Sequence, residues 1–116
     1  MIYYTYKANN NVIPGQFVQL SSDELTVENH TTGAVIGLCI RSYISDDDSL
    51  RYAEIYVAGG SGQQAILNAN WNGSPSRFDV VNSKVEAVAS GGIGWIIPEL
   101  PRASKSAGET VYISIY

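Results

Sequence analysis

The sequence predicts an all-β fold of about ten short strands. Apolar and polar residues alternate with a period of two in short runs, and turn-forming residues separate these runs. No stretch carries an apolar stripe at helical spacing. Only 16% of the residues are charged, whereas the chain contains eight tyrosines and eleven glycines, a composition typical of β-proteins with tight turns. We therefore expect a small β-barrel or sandwich.

The alternating runs define the predicted strands. They cover residues 2–7, 16–20, 24–28, 34–41, 52–58, 64–69, 77–82, 84–89, 92–97 and 110–116. Glycine and serine at 59–62 predict a flexible connection. Pro98 and Pro101 prevent further pairing within a sheet, so residues 99–108 should form a surface loop.

The length of 116 residues fits a single domain whose core needs no metal or disulfide. Cys39 is the single cysteine, which excludes an internal disulfide, and its apolar neighbours predict burial. We interpret residues 12–116 as one β-barrel domain and residues 1–11 as an extended N-terminal arm.

The predicted arm combines aromatic β-forming residues with an asparagine-rich linker. Such a strand could pair with the edge of its own sheet, with a neighbouring subunit or with a different protein. Its candidate contact residues are Ile2, Tyr3, Tyr4 and Tyr6.

Two parts of the chain repeat one pattern. The corresponding segments are Phe17 and Phe78, residues 36–38 and 93–95, and residues 55–57 and 111–113. This pattern favours two four-stranded units that close about a pseudo-twofold axis, with residues 64–69 as the link. A β-meander rich in glycine, serine and valine could show the same similarity by chance. Gly37 and Gly94, which lie inside apolar strands, predict a bend, a bulge or the close approach of another backbone.

No catalytic, cofactor-binding or metal-binding motif is recognisable. The sequence lacks Gly-x-Ser-x-Gly and any Gly-Lys pair. His30 is expected to be a solvated loop residue without catalytic partners. Asp46, Asp47 and Asp48 lack the alternating ligand spacing of a calcium loop and predict a solvated acidic turn. We therefore predict a protein without enzymatic activity, cofactor or bound metal.

One loop could recognise a ligand. Trp71 lies between Asn70 and Asn72, and an aromatic ring beside amide groups suits a sugar. Trp71 could also close one end of the barrel or lie in a subunit contact, and we favour these two roles.

Charge and hydropathy exclude some classes of partner. The net charge is −4, and the seven lysines and arginines are scattered, which argues against nucleic-acid binding because phosphates require clustered cations. No segment approaches the length of about 18 apolar residues that a membrane span needs. The N-terminus lacks a secretion signal, so we expect synthesis and folding in a cytoplasm.

Three segments carry a resemblance to a known family: "VIPGQFVQL", "GAVIGLCI" and "SAGETVYISIY". They combine a Pro-Gly or Ala-Gly turn before a strand, a central Gly-x-x-Ile-Gly strand and a closing Ala-Gly-Glu-x-Val strand. In these features the chain resembles small bacteriophage capsid decoration proteins, also called cement or head-stabilising proteins.

The resemblance implies a β-barrel or tulip-like sandwich that forms a homotrimer. It also implies binding to the major capsid protein on the outer surface of the virion, after assembly in the host cytoplasm. Chain ends commonly contact the capsid in this family. By position, the contact residues here would be Ile2, Tyr3, Tyr4 and Tyr6.

We therefore expect a non-enzymatic viral structural protein that stabilises a phage capsid. The alternative is a carbohydrate-binding or host-adhesion module of a phage fibre, with Trp71 in its site. A small hydrolase is a third and weaker interpretation.

Overall fold

The computed structural model describes residues 2–59, 62–99 and 104–116. Residues 60–61 and 100–103, including Pro101, belong to the predicted connection and surface loop and lie outside the described residues. The strands are β1 (Ile2–Lys7), β2 (Phe17–Leu20), β3 (Val27–Asn29), β4 (Gly37–Ile44), β5 (Arg51–Ala58), β6 (Gln63–Ile66), β7 (Arg77–Val81), β8 (Lys84–Val88), β9 (Gly94–Ile97) and β10 (Thr110–Ile115). The predicted all-β fold with ten short strands is confirmed. Within the described ranges no helix is long and apolar enough to cross a bilayer.

The strands form two five-stranded antiparallel sheets with the same internal order. Sheet 1 has the order β1-β5-β4-β2-β3, and sheet 2 has the order β6-β10-β9-β7-β8. Adding five to each strand number of sheet 1 gives the order of sheet 2. The chain is therefore built from two copies of one fold, which we call unit 1 (β1–β5) and unit 2 (β6–β10).

Isolated parallel bridges support this equivalence. Ala8, just after β1, bridges Val27 on β3, and Leu67, just after β6, bridges Val85 on β8. Both bridges join the end of the first strand of a unit to its third strand. Each sheet is thereby drawn into a curl, with its two edge strands held together at one end.

Each unit contains five strands rather than the expected four. β6, which overlaps the segment predicted to link the units, pairs with β10 as β1 pairs with β5. Sequence comparison missed this correspondence because β1 is rich in tyrosine, whereas β6 reads Gln-Gln-Ala-Ile. The first strand of each unit therefore keeps its position without keeping its residues.

Hydrogen bonds correct one of the predicted equivalences. The amide of Ile36 donates to the carbonyl of Val18, and the amide of Ile93 donates to the carbonyl of Phe78, each over 2.9 Å. Val18, and not Phe17, is therefore the counterpart of Phe78. The matching of residues 36–38 with residues 93–95 agrees with these bonds.

A second equivalence shifts by two residues. Ile55 pairs with Cys39, and Ile113 pairs with Ile96. Cys39 and Ile96 each lie three residues beyond the matched isoleucines at 36 and 93. Ile55 thus corresponds to Ile113 rather than to Val111, because the connections between the paired strands differ in length.

The two strand glycines mark close backbone approaches, which is one of the causes that the sequence leaves open. A Cβ atom on Gly37 would lie 2.2 Å from the carbonyl oxygen of Tyr56, and one on Gly94 would lie 2.1 Å from that of Ser114. Tyr56 and Ser114 occupy equivalent positions in the two units. Only glycine lets the neighbouring strand pass this closely at both places.

Each sheet curls around a hydrophobic core. We call the face that points into this core the inner face and the opposite face the outer face. The core of unit 1 consists of residues of unit 1 alone: Ala8, Val12, Val18, Val27, Cys39, Ala53 and Ile55.

The core of unit 2 is shared between the units. Unit 2 contributes Ala65, Leu67, Trp71, Phe78, Val80, Val85, Ile96, Val111, Ile113 and Ile115. Unit 1 contributes Phe17, Leu38 and Tyr56, which are cross-strand neighbours and alternate with the inner residues of sheet 1. The part of the outer face of sheet 1 that carries these three residues therefore covers the inner face of sheet 2.

Direct contacts fix this stacking. The rings of Phe17 and Phe78 lie 5.9 Å apart. The Tyr56 hydroxyl accepts a 3.0 Å hydrogen bond from the amide of Ile115 and donates to the carbonyl of Gly59. The molecule measures 46 × 25 × 23 Å, as expected for two units that follow one another along the long axis.

The β7–β8 hairpin provides a further link. Its two turn residues, Asn82 and Ser83, both have positive φ angles, 50° and 66°, the backbone form that suits the twist of a two-residue hairpin. The carbonyl of Ser83 accepts a 2.7 Å hydrogen bond from the amide of Phe17. The Ser83 hydroxyl donates to Gln16 Oε1 at 2.8 Å. The hairpin turn of unit 2 thereby holds the start of β2 in unit 1.

Candidate interaction surfaces

β1 is an edge strand of its own sheet. It pairs with β5 from Ile2 to Lys7, and just beyond it Ala8 is buried in the core of unit 1. Of the three pairings that the sequence allows, the structure shows the own-sheet edge. The predicted arm residues 2–8 therefore lie against unit 1 through β5 and the core of unit 1.

The side chains of β1 nevertheless remain accessible. Ile2, Tyr3 and Tyr4 are exposed, whereas Tyr6 is half-buried and packs on the core of unit 1. Tyr4 and Tyr6 project from the same face, with ring centroids 6.4 Å apart. β1 therefore presents aromatic side chains beside an exposed sheet edge, and we call Ile2, Tyr3 and Tyr4 the β1 edge.

Polar and aromatic side chains continue from β1 across the outer face of sheet 1. Arg41 forms a 3.2 Å ion pair with Glu54, and its guanidinium carbon lies 4.5 Å from the ring centroid of Tyr43. Tyr43 stacks on Tyr52 at 6.1 Å. The Tyr52 hydroxyl donates to Asp48, which lowers the pKa of Asp48 and raises that of Tyr52. These ion-pair, ring and hydrogen-bond contacts hold the side chains of this group in one arrangement.

A second exposed aromatic surface lies on the outer face of sheet 2. We call it the Trp95 patch, and it consists of Trp95, Ile97, Tyr112 and Tyr116. Tyr112 and Ile97 are cross-strand partners, and the rings of Trp95 and Tyr116 meet edge to face at 5.7 Å. The guanidinium carbon of Arg77 lies 5.3 Å from the Trp95 ring centroid. Tryptophan, tyrosine and arginine are the residues enriched at protein interfaces.

Sequence reasoning did not identify the Trp95 patch. The run Gly94–Ile97 is apolar on both faces, so its period-two pattern does not reveal which face meets solvent. The tertiary arrangement decides this, because the inner face of sheet 2 carries its core and the outer face remains uncovered.

The Trp71 side chain packs in the protein interior. Its side chain is 5% exposed and belongs to the core of unit 2. Its Nε1 donates to the carbonyl of Pro75 at 2.8 Å, and its backbone pairs with that of Lys105. A ring buried in this way has no free face on which a sugar could stack.

The flanking amides are exposed, but they also hold loop backbone. Oδ1 of Asn70 accepts a 2.9 Å hydrogen bond from the amide of Ala107. Oδ1 of Asn72 accepts one of 3.2 Å from the amide of Ser74. Both amide oxygens thus stabilise their own surroundings.

His30 is buried, contrary to the expectation of a solvated loop residue. Its side chain is 8% exposed, and Nε2 lies 2.9 Å from the carbonyl of Gly33. Gln19 holds this loop against the sheet, because its Oε1 accepts hydrogen bonds from the amides of Thr31 at 3.0 Å and Gly33 at 2.7 Å. A buried glutamine that binds loop backbone leaves no sequence signal that distinguishes it from a surface glutamine.

Other candidate residues occupy ordinary positions. Asp46, Asp47 and Asp48 are exposed in the β4–β5 turn, as predicted. Cys39 is buried, also as predicted, and burial raises its thiol pKa to about 11. Among the residues that the structure describes, no group of three histidine, cysteine or carboxylate side chains could hold a metal ion.

Two of the open clefts among the described residues lie near candidate positions. One lies where the units meet, beside Gly15 and Tyr112, and the other lies beside Trp71 and Lys105. Neither is lined by a carboxylate or an imidazole.

Neither a protein-family model nor a curated protein sequence matches the chain.

Proposed function

We propose that this protein is a non-enzymatic structural protein of a bacteriophage. In this role it binds the major capsid protein on the outer surface of the virion and stabilises the shell, after synthesis in the host cytoplasm. The β1 edge carries the proposal, since it presents Ile2, Tyr3 and Tyr4 on the rim of a well-packed sheet.

The chemistry of the β1 edge suits a protein partner. An edge strand offers backbone groups to an incoming strand, and flanking side chains enter pockets on the partner. Tyrosines contribute large contact areas with one polar hydroxyl each. Because such a protein binds the assembled shell and not its dissociated subunits, it stabilises the shell by linkage.

Two further observations support this role. The motifs in residues 12–20, 33–40 and 106–116 resemble those of capsid decoration proteins, which also implies a homotrimer. The duplicated fold gives one compact scaffold with several separate outward surfaces, an arrangement suited to holding more than one subunit.

The sugar-binding alternative has less support. It depends on the ring of Trp71, which is buried and bonded to Pro75.

Binding to capsids tests the proposal. Expanded capsids of the phage that encodes this chain, assembled without the protein, would be mixed with purified wild type and pelleted. We expect wild type to sediment with the capsids and to raise their melting temperature. Failure of wild type to bind would refute the function.

Variants test the surface separately. Tyr4→Asp should weaken capsid binding by about tenfold or more, as loss of one buried interface tyrosine does. Ile44→Asp is the matched control, because Ile44 is equally exposed at the far end of β4. Wild-type binding by Tyr4→Asp would remove the β1 edge from the mechanism while leaving the function in place.

A further inference from the structure

The two units stack in one direction, and this arrangement leaves one surface uncovered at each end of the molecule. Within the chain, the outer face of sheet 1 lies on the inner face of sheet 2. Because the units share one fold, unit 2 has an equivalent outer face. The inner face of sheet 1 corresponds to the receiving face of unit 2, but its centre is filled within unit 1, so only its rim is exposed.

The uncovered outer face is the Trp95 patch. Trp95 occupies the position in unit 2 that Leu38 occupies in unit 1. Leu38 is fully buried by the contact between the units, whereas Trp95 is 43% exposed. Both equivalent positions thus carry a large apolar side chain, although the described part of the chain covers only Leu38.

The exposed rim of the corresponding face lies on unit 1. In unit 2, Val80 and Ile115 are each 8% exposed and belong to the shared core. Their counterparts by strand pairing are Leu20, which pairs with Val27 as Val80 pairs with Val85, and Val57. Leu20 is 47% exposed and Val57 is half-buried, and we call these two residues the Leu20 rim.

We propose that a second copy of this chain docks head to tail, with its Leu20 rim on the Trp95 patch of the first. The contact uses, at the rim, positions equivalent to those that lie in the shared core within a chain. Such a contact is heterologous, so it gives a ring where the rotation between copies closes and a filament where it does not. A closed homotrimer would place six equivalent units in succession.

The composition of the two surfaces fits a contact that forms between folded chains. The core contact inside the chain uses Phe17, Leu38 and Tyr56, all fully buried. The equivalent positions on the outer face of sheet 2 carry Arg77, Trp95 and Ser114, a more polar set that remains soluble before association. This proposal does not depend on capsid binding, because both surfaces belong to the free protein.

Light scattering on purified protein tests this contact. Wild type should show a mass that rises with concentration to a multiple of the monomer. Trp95→Glu and Leu20→Glu each destroy one surface and should remain monomeric. Ile44→Glu should behave as wild type, because Ile44 is an apolar residue that is even more exposed and belongs to neither surface. Circular dichroism and melting temperature verify that each variant is folded.

A mixture of the two variants provides the decisive measurement. Trp95→Glu keeps its Leu20 rim, and Leu20→Glu keeps its Trp95 patch, so an equimolar mixture should form a dimer and stop there. A wild type that is monomeric up to about 1 mM would overturn the proposal. Self-association that survives either substitution, or a mixture that remains monomeric, would equally overturn it.

Discussion

The Tyr56 hydroxyl joins the two units, and its removal should destabilise the whole fold. Tyr56 is fully buried, accepts a hydrogen bond from the amide of Ile115 and donates to the carbonyl of Gly59. Tyr56→Phe keeps the ring but leaves that buried amide without this partner. An unsatisfied buried group costs about 1–3 kcal/mol, and each lost hydrogen bond about 1 kcal/mol. We therefore expect a loss of about 2–3 kcal/mol in the free energy of unfolding.

This loss is measurable as a shift in melting temperature. An unfolding entropy of about 2.1 cal/mol/K per residue gives about 0.24 kcal/mol/K for this chain, so the melting temperature should fall by about 8–12 °C. Tyr112→Phe is the matched control, because Tyr112 is exposed and its hydroxyl accepts from Gln64 at the surface. Equal melting temperatures for the two variants, by calorimetry, would refute the role of Tyr56 as the link.

Two further predictions concern the strand glycines and the cysteine. Gly37→Ala and Gly94→Ala place a Cβ against equivalent carbonyl oxygens at 2.2 and 2.1 Å. Each substitution should therefore lower the free energy of unfolding, measured in urea, by about 2–3 kcal/mol. An unchanged free energy at either position would show that the neighbouring strand is free to move away. Burial raises the pKa of the Cys39 thiol from 9.0 to about 11. The contribution of the neutral thiol to the free energy of unfolding is therefore fully present below pH 9 and is lost as the pH rises towards 11. Between pH 9 and 11 the free energy of unfolding of Cys39→Ala should fall less steeply than that of wild type. Parallel curves of unfolding free energy against pH for the two proteins would contradict the burial of the thiol.

The strands were predictable because their signal is local. Period-two alternation and turn residues located all ten, and the repeated Ile-Gly segments indicated a duplication. The shifted start of β3 has a local cause. β3 begins at Val27 because Asp23 holds a turn by accepting from the amide of Leu25, and Glu24 has a φ of 60°.

The strand order and the surfaces were not predictable because they depend on distant contacts. Alternation assigns Trp95 and Ile96 to opposite faces of β9, but both faces are apolar. Only the placement of unit 1 on the inner face of sheet 2 decides which residue is exposed. His30 shows the same limit, since its burial depends on Gln19, eleven positions earlier.

The unequal sharing of the two cores sets an order for their assembly. The core of unit 1 is complete within residues 8–55, so all of its members are present once the first half of the chain has been synthesised. The core of unit 2 requires Ile113 and Ile115, near the C-terminus, together with Phe17, Leu38 and Tyr56 from the first half. Chains are synthesised from the N-terminus, so the earlier unit serves as the template surface on which its duplicate is completed.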